Sequence, residues 1–143
     1  MTESEVRSIL RRAFNSKQAV KTLEYKIKEL ESLRERVTPS YSSVPGGGSG
    51  NKIEDTTEKI CEMQQRLRTK TENFLKDVER AEALITFAER ENPGYGVILN
   101  QRYIIGFSWW DIAGINNYSR AQVFRIHDRA VTYIANNAKH ETK

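Results

Sequence analysis

ILNQRYIIGFSWWDIAGINNYSRAQVFRIHDRAVTYI, residues 98–134, is the stretch whose apolar spacing and turn residues compose a helix, a turn and a basic final helix. Val97, Ile98, Tyr103, Ile104 and Ile105 are expected to form the apolar face of a short entry helix. Gly106 closes it, being the residue most tolerant of a left-handed terminal conformation. Ser108 is placed to cap the next helix, and Asp111 falls in its first turn, where a carboxylate suits the positive end of the helix dipole. That helix starts at Trp109 and is expected to run about two turns, because Gly114, Asn116 and Asn117 are poor helix-interior residues and good turn formers. Ser119 caps a third helix. In it Val123, Ile126, Ala130, Tyr133 and Ile134 recur at three- and four-residue steps, so one stripe packs inward while Arg120, Gln122, Arg125 and Arg129 project from other faces.

Such a helix suits the major groove of duplex DNA, where residues near the N-terminus reach base edges. Arg donates two parallel hydrogen bonds to guanine, and Gln pairs bidentately with adenine. Arg120, Gln122 and Arg125 are therefore candidates for the groove, with Ser119 beside them at the cap, and Arg129 for the phosphate backbone. Arg102 could contact backbone phosphate or pair with Asp111. Trp109 is expected in the core; Trp110, on a neighbouring face, could sit against the entry helix or stay partly exposed as a protein-contact anchor. Tyr118 could staple the helix start or touch phosphate through its hydroxyl.

Gly106 to Ile134 resembles the helix-turn-helix in the fourth conserved region of bacterial primary sigma factors. The likeness runs without a gap through Gly106, Ser108, Asp111, Ile112, Ala113, Ser119, Arg120, Val123, Ile126 and Ala130. It departs at Asn116, where the sigma pattern has an apolar residue. It departs again at Phe124, where the pattern has a basic residue facing DNA, which makes Phe124 a candidate contact position. The order of parts along nearly the whole chain resembles short phage proteins of the ArpU and RinA type: long helices, a Gly and Ser loop, then a sigma-like ending with RYI, SW, IA and YS. That resemblance implies control of phage or prophage late genes in a bacterial cytoplasm, with RNA polymerase as a candidate partner.

Composition fits a nucleic-acid partner. The 143 residues carry a net charge of +4, and residues 99–143 supply most of it: Arg102, Arg120, Arg125, Arg129, Lys139 and Lys143 against Asp111, Asp128 and Glu141. Cys61 is the only cysteine, which excludes a disulfide framework and a zinc spacing, points to a reducing compartment and leaves Cys61 expected to be inert. No charged leader precedes an apolar core and no apolar run approaches membrane-spanning length, so a cytoplasmic chain with no membrane partner is expected.

Upstream, residues from about Glu3 to Arg36 read as one long helix, with Val6, Ala13, Val20 and Ile27 in one heptad position and Ile9, Leu23, Leu30 and Val37 in its partner. Ser16 and Arg34 interrupt that seam. TPSYSSVPGGGSGN, residues 38–51, holds two of the three prolines and four of the eight glycines and is expected to be a loop. A second long helix follows from about Lys52 to Arg90, with Ile53, Ile60, Leu67, Phe74, Ala81 and Ala88 at seven-residue steps, joined by Met63, Val78, Leu84 and Ile85. Asn92, Pro93 and Gly94 end it. The fold class is therefore all-α: a two-helix hairpin or coiled coil over residues 1–92, then a helix-turn-helix DNA-binding domain over 93–143. A lone hairpin has little core, and Lys70 and Asp77 place polar groups in its seam, so a homo-oligomer formed through the long helices is expected.

Enzymatic readings find little support. His127 and His140 lack partners at metal spacing, and His127 is expected at a groove edge or on the surface; no metal or cofactor is implied. GGGSG lacks the lysine of a phosphate loop, and no Gly-x-Ser-x-Gly elbow is present. Carboxylates such as Glu29, Glu31, Glu54, Asp55 and Glu58 read as solvated helix faces. The sequence favours a DNA-binding transcription regulator. The alternatives are a recognition subunit resembling small terminases, which would form a ring and bind the packaging ATPase, and a helical adaptor that binds no DNA.

Overall fold

The structure, a computed structural model, describes residues 1–37 and 48–138. All regular structure among the described residues is helical: α1 (Glu3–Val37), α2 (Gly48–Glu91), α3 (Pro93–Leu99), one turn of π-helix (Asn100–Ile105), α4 (Trp109–Asn116) and α5 (Arg120–Asn137). The expected all-α class is thus observed. Most of the loop read at 38–51 lies outside the described residues, as do Lys139, His140, Glu141 and Lys143. Residues 48–51 do not belong to a loop, however, because α2 already begins at Gly48. A long helix gains one hydrogen bond for each residue added at its end, which offsets the roughly 1 kcal/mol that a helical glycine costs.

The chain forms two compact units, Met1–Gln18 with Asn73–Lys143, and Ala19–Glu72. In the second, Val20, Ile27 and Ile60 are buried, all three of them positions on the heptad seams. In the first, Val6, Leu10 and Ala13 of α1 form one core with Ala81, Leu84, Ile85 and Ala88 of α2, Leu99, Tyr103, and Ala130, Val131 and Ile134 of α5. The heptad reading places Val6, Ala13, Ala81, Leu84, Ile85 and Ala88 correctly; Leu10 lies one residue beyond its paired position Ile9, and it is Leu10 that is fully buried.

Two polar interruptions of the seam answer one another: the Ser16 hydroxyl donates to the Asp77 carboxylate across the helix pair. Asp77 is therefore a satisfied group within the chain, and Lys70 points to solvent. The burial a lone hairpin lacks is supplied here by α3, the π-turn and α5. The break at residues 92–93 divides helices, while the core runs across it.

The break itself does two jobs. Asn92 ends α2, and its side chain also caps α3 by accepting from the Gly94 N–H at 2.9 Å, with Pro93 in the first helical turn, where its missing N–H costs nothing. Gly96 is buried against α2; a Cβ there would lie 2.9 Å from Glu89 Cβ. Gly106 ends the π-turn at φ 90°, the left-handed conformation that its lack of a Cβ permits. The entry segment buries Ile98, Leu99 and Tyr103, whereas Val97 and Ile105 are each 44% exposed and do not belong to the apolar face assigned to them. For Ile105 the reason is the change of helical period at Asn100, since a π-turn rotates later side chains away from the α-helical stripe; Val97 precedes that change and lies on the exposed side of α3.

Candidate nucleic-acid interface

α4 and α5 are built as the sequence indicates. The Ser108 hydroxyl accepts from the Asp111 N–H at 3.0 Å, and α4 ends at Asn116, followed by Asn117 in the left-handed region at φ 57°. Asn116, the departure from the sigma pattern, is half-buried and donates to Gln101 Oε1 at 2.7 Å and to the Ile112 carbonyl at 2.8 Å, tying the end of α4 to the π-turn. A small core of Ile98, Ile112, Ala113 and Val123, flanked by Phe107, Trp109 and Ile126, holds α4 against α5.

Ser119 starts α5 through a reciprocal capping box. Its hydroxyl accepts from the Gln122 N–H at 3.2 Å, and Gln122 Oε1 accepts from the Ser119 N–H at 2.9 Å. Gln122 is exposed, but its carbonyl oxygen is engaged. A bidentate contact to adenine would require opening the box, leaving the amide NH2 as the group free to act.

Arg120, Arg125 and Arg129 are exposed, and none of them is in an ion pair among the described residues. Arg120 lies over the Trp110 ring at 5.7 Å, and Trp110 is 73% exposed, so of its two alternatives the open one is observed. Tyr118 is also exposed. Phe124 is 41% exposed and leans on Trp109 with ring centroids 5.0 Å apart. Arg120, Gln122, Arg125 and Arg129 are thus exposed along the N-terminal two thirds of α5, with Ser119 as its cap.

Arg102 does not join them. Its guanidinium lies between the Phe14 ring at 4.1 Å and the Trp109 ring at 4.5 Å and donates to the Phe107 carbonyl at 3.1 Å. Burial lowers its pKa, against the opposing effect of Tyr103. Arg102 makes no ion pair with Asp111. Long basic side chains carry apolar stems and a flat, weakly hydrated guanidinium, and two facing rings hold both.

His127 is likewise not at a groove edge. It is 3% exposed, with Tyr103 Oη 2.6 Å from Nε2 and Asp128 Oδ1 3.0 Å from Nδ1. A carboxylate can only accept, so Nδ1–H donates to Asp128 and Nε2 accepts from the Tyr103 hydroxyl, fixing the neutral tautomer. Burial pushes the His127 pKa below its ordinary value, against the pull of Asp128. Burial works to raise the Asp128 pKa, but the hydrogen bonds from His127 and Arg7 outweigh it and hold that carboxyl below its ordinary value. Burial raises the Tyr103 pKa. Arg7 of α1 closes the chain of contacts, donating to Asp128 Oδ1 at 3.2 Å. The signal for His127 was present in the sequence, four residues after Val123 and three before Ala130, on the apolar stripe itself.

Among the described residues no group of three or more His, Cys, Asp or Glu could hold a metal, no helix is long and apolar enough to cross a membrane, and Cys61 is exposed. No family model, no curated protein and no solved structure matches this chain.

Proposed function

We propose that the chain is a sequence-specific DNA-binding regulator in which α4, the turn at Asn117 and α5 act as a helix-turn-helix with α5 in the major groove. The observation that carries this reading is the charge arrangement of α5. Arg120, Arg125 and Arg129 are exposed with no ion-pair partner among the described residues, while Asp128, the one acid of that helix, is held by Arg7 and His127. Exposed cations left unpaired along a capped helix suit phosphates and base edges. Arg120 and Arg125 read bases, Arg129 holds the backbone, and the capping box orients the N-terminal turn.

Control of phage or prophage late genes in a bacterial cytoplasm rests on the resemblance of the sequence to regulators of that kind. Two copies on a symmetric site would raise effective concentration. Because the heptad seam is occupied within the chain, self-association uses the outer faces of the long helices, where Tyr25, Leu33 and Leu75 are exposed.

Selection from a random duplex pool at near-physiological salt, followed by sequencing, tests the reading. A defined motif is expected from the wild-type chain and is lost with the double variant Arg120→Ala, Arg125→Ala. No enrichment, or enrichment that the variant retains, rejects α5 as the reader.

A further inference from the structure

The N-terminal turns of α1 carry a polar stripe that the recognition helix does not account for. Ser4, Arg7, Ser8, Arg11, Arg12 and Asn15 line one shallow groove, and residues 6–18 hold no carboxylate. Arg11 and Arg12 are exposed and in no ion pair among the described residues.

The register between α1 and α5 says where this stripe lies. The Thr132 hydroxyl donates to Glu3 at 3.3 Å, and Arg7 donates to Asp128 at 3.2 Å, so four residues forward on α1 correspond to four residues backward on α5. The two helices are therefore antiparallel neighbours here. One turn further along α1, Arg11 comes level with Phe124 and Arg125, toward the end of α5 that carries Arg120. Arg11 is close enough to Tyr103, which contacts α5 through His127, to act on it electrostatically. The Arg7 contact also neutralises Asp128, the one acid of α5, while Glu3, the other carboxylate at this junction, lies two turns before Arg11 on α1.

We infer that the Arg11 and Arg12 stripe of α1 is a second contact to the phosphate backbone of duplex DNA, flanking the groove occupied by α5. The inference rests on the DNA-binding reading of α5 and extends it. Ser4 to Asn15 spans roughly 16 Å at 1.5 Å per residue, enough to follow several phosphates of one strand. Guanidinium groups with neighbouring Ser and Asn suit phosphate oxygens and carry no base preference. A second copy of the chain is the competing occupant, since Glu79 and Glu82 of α2 line a groove of opposite charge. That groove also holds Phe87 and Arg90, which match neither the polarity nor the charge of the α1 stripe.

Fluorescence anisotropy across a salt series, on a duplex of selected sequence and on a shuffled one, tests the inference. The double variant Arg11→Ala, Arg12→Ala is expected to bind both duplexes about tenfold more weakly and to keep its preference between them. Its plot of log K against log salt should be shallower by roughly 1.8, the value for two lost phosphate contacts. Arg11→Lys, Arg12→Lys should restore most of the slope, which separates loss of charge from loss of fold, and matching melting curves check the same point. Wild-type binding with an unchanged affinity and slope in the alanine variant overturns this inference and leaves α5 as the reader. A variant that loses self-association in sedimentation with its salt slope intact assigns the stripe to a second copy and also overturns it. A wild-type chain that binds neither duplex at low salt overturns the reading of α5 and this inference together.

Discussion

At the residue scale the network of Tyr103, His127, Asp128 and Arg7 joins the π-turn, α5 and α1, and it makes stability depend on pH. His127 is held neutral below its ordinary pKa, so just below about pH 6.5 the unfolded chain takes up a proton that the folded chain does not. Stability should therefore fall as pH drops through that window, until the folded value is passed as well. Asp128, whose pKa is lowered, adds a second loss at more acid pH, on protonation through its own folded value. Melting temperature should be flat from neutrality to about pH 9 and decline on the acid side, with the decline just below about pH 6.5 flattened in His127→Phe. An unchanged decline in that variant would remove His127 as its source.

Arg102 gives a second residue-scale prediction. Arg102→Ala removes a cation stacked on two rings and should cost about 2 kcal/mol in chemical denaturation, with DNA affinity preserved while the chain is folded. A variant of native stability that loses DNA binding would return Arg102 to the interface. The role of Arg102 was illegible in the sequence because one of its two rings, Phe14, comes from the far end of the chain, and the other, Trp109, is brought over it only by the turn at Gly106.

At the element scale, capping chemistry was the most legible part of the chain. Ser108, Gly106 and Ser119 each stand where local residue type alone puts them, because a cap depends on neighbours within one turn. The heptad stripes named most of the buried seam for a related reason, since burial follows helical period. The π-turn was not legible: no residue type announces a change of period, and it is this change that turns Ile105 outward. Nor was the cap on α3, because Asn92 and Pro93 read equally well as a helix end or a helix start. Gly96 and Gly114 give opposed predictions from one change. Gly96→Ala places a methyl against Glu89 Cβ, which no side-chain rotation relieves, so α3 must shift from α2 at a cost of about 1 to 3 kcal/mol. Gly114→Ala meets nothing within 4 Å and should stabilise by about 0.5 to 1 kcal/mol through helix propensity. Thermal melts of the two variants should move in opposite directions; a stabilised Gly96→Ala would contradict the close packing of α3 on α2.

At the scale of the whole molecule, one core ties the base of the long helices to the C-terminal helices, so the candidate reader stands on α1 and α2 through buried contacts. The basic residues of α5 were legible in the sequence, since exposed cations on an amphipathic helix follow from its periodicity. What was not legible is how α1 lies against that helix, because the pairs from Glu3 to Thr132 and from Arg7 to Asp128 join opposite ends of the chain. Titration of an isotope-labelled chain with the selected duplex, following backbone amide shifts, shows which residues meet DNA. The largest changes are expected on residues 119–129, with Arg120 and Arg125 among them and His127 following through its neighbours. Saturable binding that leaves residues 119–129 unmoved while other parts of the chain shift would contradict α5 as the reader.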